Sequence, residues 1–354
     1  MAENKRALVI SGGGQRGSFA VGAASYLMEA LGLDFQIFAG TSTGALIAPL
    51  LAAGGAAALP QLRTEYTTVK TRDIIRERWT DPLRWFPASS LYLTSPLRKR
   101  VAAGLAPDVL ERIEARGTQL FVTTVNLVSG HVVYFHTGPA PAAEDGDFVR
   151  LTNRALLVDA MVASSSIPFF MPPVEMDAPG GGKAAFVDGG VRQYAPIQVA
   201  IEAGADEIWC LVLMPPANVR PAHTGNFKDI VKVTQTTVDL LSQEVGDGDV
   251  RTSKLYTNAI VYVNAVREQL KQQLPGSAAE IDTAFDTAPG NPFLGKKAVR
   301  LHVIRPEKLL AGDTLKFDPA EMTENMIYGC QLAESLFPRP GSPAPWCDRL
   351  KARS

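Results

Sequence analysis

The chain has 354 residues, 46% of them hydrophobic and 20% charged, with a formal net charge of −1. That length and balance describe a globular protein with a sizeable core, in one large domain or two ordinary ones. A net charge so close to zero offers nucleic acid no electrostatic attraction, so no nucleic-acid partner is expected.

The first predicted element is a strand at 6–10. Its apolar part, Ala7–Ile10, is too short for a signal-peptide core, and no later run approaches the length of a membrane span. The three cysteines, Cys210, Cys330 and Cys347, are scattered and odd in number. They suit a reducing compartment and lack metal-ligand spacing, so a cytoplasmic location and no metal are expected. The strand runs into Gly12-Gly13-Gly14-Gln15-Arg16-Gly17 and a predicted helix at 17–31. Gly12, Gly14 and Gly17 satisfy the dinucleotide fingerprint, which also needs an acid at the end of the second strand to hold the ribose. Asp34 has about the right spacing but precedes that strand, and no Gly-Lys-Ser/Thr follows to make a Walker loop. No nucleotide cofactor is therefore expected. The other uses of the loop are a ligand-free tight turn, or a set of backbone N–H donors aimed at a developing oxyanion. In the second of these, Arg16 steadies the loop or pairs with a substrate phosphate.

The second strand, 35–39, ends in Gly40-Thr41-Ser42-Thr43-Gly44, and an apolar helix at 43–53 follows. Strand, tight turn and helix around G-x-S-x-G form the setting of a nucleophile elbow, which exposes the Ser42 hydroxyl at a helix N-terminus. Residues 63–100 carry nine Lys or Arg against four acids, interleaved with Trp79, Trp85, Phe86, Leu91, Tyr92 and Leu93. Packed inward, these aromatics make a cap that walls an acyl pocket; turned outward beside the basic residues, they suit an anionic membrane face.

Further strands are predicted at 119–126, 131–136, 184–188, 207–213 and 299–304. Helices are predicted at 153–163, 195–203 and 319–335, and 226–272 reads as mostly helical. Segments 137–147, 177–183 and 214–225 read as loops. This alternation predicts an α/β fold with a mainly parallel sheet and helices on both faces. The strand at 184–188 ends in Asp188-Gly189-Gly190. A carboxylate there serves either as an ordinary turn aspartate or as a base for Ser42, if burial raises its pKa. His131, His136, His223 and His302 fall in no motif that marks a catalytic histidine.

Taken in order, these pieces resemble the patatin-like phospholipase family. Gly12–Gly17 matches its oxyanion loop and Gly40–Gly44 its elbow. Ala163-Ser164-Ser165-Ser166-Ile167-Pro168 looks like its serine-proline block, and Asp188-Gly189-Gly190 matches its aspartate motif. Residues 8–215 carry the resemblance well and 299–335 loosely. Where the family often has an asparagine after the aspartate motif, this chain has Gln193-Tyr194.

The resemblance implies a three-layer α/β/α fold with helical cap elements, in one domain over 1–354: core motifs at 6–215, then helical and closing segments at 220–340. It implies a Ser42–Asp188 dyad, an oxyanion hole at Gly12, Gly13 and Gly14, and no metal or cofactor. The expected partner is a phospholipid, lysophospholipid or related acyl ester, with peripheral membrane contact possible and no oligomeric state indicated. The alternatives of the same fold are a regulated effector lipase that needs a ligand or partner, and a non-catalytic lipid-binding protein.

Overall fold

A computed structural model describes residues 4–77, 89–141, 146–219, 229–287, 291–293, 296–339 and 345–351. Its strands in chain order are β1 (Arg6–Ile10), β2 (Ile37–Thr41), β3 (Arg76–Glu77), β4 (Tyr92–Leu93), β5 (Gln119–Asn126), β6 (Val132–His136), β7 (Asp147–Arg150), β8 (Val174–Asp177), β9 (Lys183–Asp188), β10 (Glu207–Leu211) and β11 (Arg300–Ile304). Apart from the β3–β4 ribbon they form one sheet, ordered β11-β10-β1-β2-β5-β6-β7, with β9 also on β5 and β8 on β9. The strands from β11 to β5 are parallel, while β6 and β9 both meet β5 antiparallel. The expected parallel sheet is thus one half of a mixed one.

Both faces of the parallel half are covered, as its continuous apolar runs require. The period-two alternation divides each strand between two cores. Leu8, Ile10, Phe38, Leu120, Val122 and Leu211 point into the larger core, and Ala7, Val9, Ile37, Ala39, Phe121 and Cys210 into the smaller. The larger core is closed by α1 (Gly17–Ser25), α2 (Thr43–Gly54), α3 (Leu59–Thr68), α7 (Arg154–Ser164) and α11 (Pro319–Leu336). The smaller lies under α8 (Ile197–Glu202) and one stretch of α9, a 44-residue helix from Ile230 to Gln273. The helix predicted at 17–31 leaves α geometry at Tyr26 and finishes as a π-helix through Ala30. Elements without a sequence expectation include the strands β3, β4, β7 and β8 and the helices α3, α4 (Thr71–Ile74), α5 (Ser95–Gly104), α6 (Val109–Ala115), α10 (Ala278–Thr287) and α12 (Asp348–Lys351).

Two expectations need correction. The first concerns spanning length. Thr43–Thr68 form a 26-residue helical stretch that by length and composition alone could cross a membrane. More than half of its most apolar part is buried, and Ile47, Ala48 and Leu51 lie inside the larger core, so it acts as a core helix. The second concerns the cysteines. Cys330 on α11 and Cys347 form a disulfide with Cα atoms 5.8 Å apart, leaving only Cys210 free and buried. The cysteines therefore give no support to a reducing compartment.

The disulfide ties the segment holding Trp346 against Tyr26, while Glu334 accepts hydrogen bonds from the Trp346 and Cys347 amides. The bridge closes a sequence separation of 17 residues. In the chain-entropy account, opening such a loop costs about 3 kcal/mol. Cys330→Ala/Cys347→Ala is therefore expected to lower the melting temperature by several degrees, measured by calorimetry against the oxidised wild type.

Candidate active site

Ser42 follows the last residue of β2 and caps α2 with φ 56° and ψ −122°. Phe169 is the only other non-glycine with positive φ among the described residues. Such a conformation costs on the order of 1–3 kcal/mol and persists only where the surroundings enforce it. Here the enforcement comes from the serine block at the end of α7. The Ser42 amide donates to Ser164 Oγ at 2.9 Å, and Ser164 Oγ donates to the Thr123 carbonyl at 2.6 Å. Ser165 Oγ reaches the Ser42 carbonyl at 3.4 Å. One residue on, the Ser166 carbonyl accepts from the Asp188 amide at 3.0 Å. One short polar segment thus fixes the backbone of both Ser42 and Asp188, which explains three adjacent serines in a buried helix end.

Asp188 reaches Ser42 on a strand that departs from the mainly parallel sheet expected. β9 runs antiparallel to β5 and pairs only with its far end, with Asp188 opposite Thr124. On β5 the preceding residue, Thr123, is level with Thr41 of the elbow strand. The antiparallel strand therefore ends beside the elbow. Asp188 is 5% exposed, and burial pushes its carboxyl up from the ordinary 3.8 to about 7. The Ser42 hydroxyl and the Gly190 amide, which donates to Oδ1 at 2.8 Å, oppose that rise only in part.

Two cavities meet at Ser42. The smaller, about 40 Å³, is a cleft lined by Gly12, Gly13, Asp188, Tyr194, Val238 and Asp239 among others. The larger, about 110 Å³, is walled mainly by apolar side chains, including Leu46, Leu62, Val69, Ile74, Leu97 and Met161. Ser42, Ile167 and Thr314 belong to both. Residues between 61 and 105 make much of the larger wall, in keeping with the cap reading of this region, and Tyr92 stacks on the buried Phe170. Trp79, Trp85 and Phe86 lie outside the described residues.

The glycine loop is divided in its availability. The Gly12 amide donates to the Tyr194 carbonyl at 3.0 Å. Gly12 and Gly13 line the smaller cleft beside Ser42, and Gly14 lines the larger cavity. Arg16 lines neither cavity around Ser42. It faces an adjoining cavity of about 230 Å³ with Lys232, Asp239 and Asp313, which shares Met214 and Asp239 with the smaller cleft at Ser42. Burial raises the Asp239 carboxyl, with Arg16 opposing.

No described histidine lines either cavity at Ser42. His131 sits 3.4 Å from Asp147; His136 stacks on Phe121, with burial lowering its pKa; His302 contacts Glu207 at 3.0 Å. His223 lies outside the described residues. Among the described residues, no three His, Cys, Asp or Glu side chains group as metal ligands.

Sequence reasoning missed the second tier of the site. At Gln193-Tyr194, Gln193 offers its carbonyl to Thr41 Oγ1 at 3.1 Å, and Tyr194 lies so close to Gly12 that a Cβ there would stand 2.9 Å from its ring. Behind them, Asp249 of α9 accepts from the Ala195 amide at 2.8 Å and from that of Tyr194, and burial raises its carboxyl to about 7. The contributions of Asp249, Val238 and Thr314 come from segments that carry no motif.

Fold and site together define an α/β protein with a serine elbow and a buried carboxyl opening onto an apolar cavity. The chain belongs to the patatin-like phospholipase family, whose model matches residues 8–201, and so to the hydrolases of lipid metabolism. It is 25% identical over 223 residues to the uncharacterized protein YqhO of Bacillus subtilis (strain 168), covering 60% of this chain and 72% of that one. Among solved structures it is similar to VipD from Legionella pneumophila at 12% identity and a TM-score of 0.41, covering 94% of this chain and 66% of VipD. It is also similar to ExoU from Pseudomonas aeruginosa, crystallised with SpcU, at 14% identity and a TM-score of 0.30, covering 95% and 69%.

Proposed function

We propose that this chain hydrolyses carboxylic esters of phospholipids, lysophospholipids or related acyl esters through a Ser42 acyl-enzyme. The observation that carries this reading is the shared cleft. A strained serine and a carboxyl with a pKa of about 7 line the same cavity, which opens directly onto a larger apolar one. Ser42 Oγ attacks the ester carbonyl as its proton passes to ionised Asp188. The negative charge on the carbonyl oxygen is held by the Gly13 and Gly14 amides and the N-terminus of α2. When the carbon–oxygen bond of the ester breaks, Asp188 returns the proton to the departing alcohol. Water then loses a proton to Asp188 and attacks the acyl carbonyl, and the proton goes back to Ser42 as the fatty acid leaves. The acyl chain occupies the apolar cavity throughout. No metal or cofactor enters these steps, and Arg16 acts from the neighbouring cavity on whatever the alcohol carries.

The test is fatty-acid release from phospholipid vesicles and from a nitrophenyl ester series, with wild type beside Ser42→Ala. Turnover by wild type that is lost in a folded Ser42→Ala chain supports the reading. Equal turnover by both removes Ser42 as nucleophile, and inactivity of wild type on every ester removes catalysis. Leu46 lies one helical turn beyond Ser42 on the wall of the apolar cavity. Leu46→Trp is expected to lower the ratio of long-chain to short-chain kcat/KM by about tenfold or more, since each excluded methylene removes transition-state binding. An unchanged chain-length profile places the acyl chain elsewhere.

A further inference from the structure

The mouth of the catalytic cleft has two lips, and both present apolar side chains to solvent. Pro168 and Val191 line the cleft on one side, Val238 and Ser242 of α9 on the other. Next to Pro168, Phe169 is 66% exposed. Its φ of 70° places a bulky side chain in the left-handed region, an uncommon and costly conformation. The reason is local. Phe170 turns inward, buried and stacked on Tyr92, while the Phe169 carbonyl is held by the Leu91 amide at 3.1 Å, so the Phe169 ring points away from the core. Val191 on the same lip is half exposed.

On the other lip, Leu241 adjoins Ser242 in sequence, and the helical repeat sets Ile230 and Leu241 on one face of α9, turned by roughly 60–120° from Val238 and Ser242 at the cleft. Ile230 and Leu241 are 75% and 63% exposed. Arg192 adjoins Val191 and is exposed. Its guanidinium donates to the Gly130 carbonyl at 2.8 Å, and among the described residues no carboxylate pairs with it.

A strained exposed aromatic beside Pro168, exposed aliphatic side chains on α9 and the Arg192 cation beside Val191 thus flank residues that line one cleft. We infer that this rim docks on a lipid bilayer bearing anionic headgroups, so that an acyl ester passes from the membrane into the cleft. The inference rests on the proposed ester hydrolysis. The chemistry of the surface matches that of an interfacial contact, in which aromatic and aliphatic side chains enter the acyl boundary while a cation meets lipid phosphate. The rim adjoins the 63–100 region at Leu91, and the sequence did not mark it because its residues come from three separate segments.

The test uses the Ser42→Ala chain, so that turnover does not alter the membrane, and measures co-sedimentation with phosphatidylcholine vesicles made with and without phosphatidylglycerol. Adding Phe169→Ser with Leu241→Ser is expected to weaken vesicle partitioning by about tenfold or more. Leu255→Ser removes an equally exposed side chain four turns further along α9 and is expected to leave partitioning unchanged. Arg192→Gln is expected to abolish the preference for phosphatidylglycerol alone. In the Ser42 background, hydrolysis of a soluble short-chain ester is assayed beside hydrolysis of vesicles, and the rim variant is expected to lower the vesicle-to-soluble ratio. The docking surface is overturned if Phe169→Ser/Leu241→Ser partitions like its parent, if Leu255→Ser weakens binding equally, or if the rim variant changes only the oligomeric state, which would make the rim a contact between protein chains. Failure of ester hydrolysis shows separately, as wild type inactive on the soluble ester.

Discussion

Replacing Asp188 with asparagine is expected to lower kcat/KM on a soluble ester by on the order of 10²–10⁴-fold, the usual range for a positioned general base. Wild-type kcat/KM should rise with pH and level off above about 7, because the base must be ionised and burial holds that ionisation near 7. Stability should move the other way. Below the unfolded value of 3.8 the carboxyl is protonated in both states and contributes no difference. As pH rises from there to about 7, the unfolded chain gives up its proton while the folded chain keeps it, so stability falls; above about 7 the loss is complete. The shift from 3.8 to about 7 corresponds to a loss on the order of 4 kcal/mol. Asp188→Asn can keep an acceptor for the Gly190 amide and carries no buried charge. Urea melts should therefore find it more stable than wild type at roughly pH 8 and no more stable at roughly pH 4. Full activity in Asp188→Asn, or a stability difference independent of pH, would show that Asp188 is not the base.

The parallel half of the sheet and both glycine loops were legible because each depends on a short contiguous signal. An apolar run ending in glycine at 6–17 and at 35–44 fixes strand, turn and helix within about ten residues, and the predicted strands agree with β1, β2, β5 and β10 to within two residues at nearly every boundary. Asp188 was legible as a residue but not as a direction: the strand before it reads the same parallel or antiparallel, and only pairing with the far end of β5 decides. The serine block was legible as a motif, whereas its work is long-range, joining Ser164 to Ser42 and Ser166 to Asp188. Arg16 belongs to the loop in sequence, yet its side chain leaves the catalytic cleft for the cavity beside it. The cysteine pair was misread because Cys330 and Cys347 become neighbours only when the chain end folds back on α11. Tyr194, Asp249 and the rim residues carry no local pattern, because their places depend on contacts between segments far apart in the chain.

Gly44→Ala is expected to be among the most damaging single changes in the chain, although it adds one methyl group. A Cβ at Gly44 would stand 2.1 Å from the Ile10 carbonyl and 3.0 Å from that of Ser11, both backbone atoms of the neighbouring strand and loop. Neither can rotate away, so either α2 shifts off β1 or the elbow opens. Overpacking of a rigid site typically costs 1–3 kcal/mol and sometimes more, and contact with two main-chain oxygens places this one at about 3 kcal/mol or above. The folded fraction should also lose activity by about 10²-fold or more, because the same shift carries Ser42 away from Asp188 and the loop amides. Gly248→Ala is the matched control: it lies inside α9 with nothing within 4 Å of the added Cβ. There the methyl group should stabilise the helix by roughly 0.5–1 kcal/mol, since glycine loses more backbone freedom than alanine on folding. Denaturant midpoints and ester turnover of the two variants should therefore depart from wild type in opposite directions for stability, and only Gly44→Ala should lose activity. If Gly44→Ala is stable and active, the elbow is not held against β1 by close backbone contact.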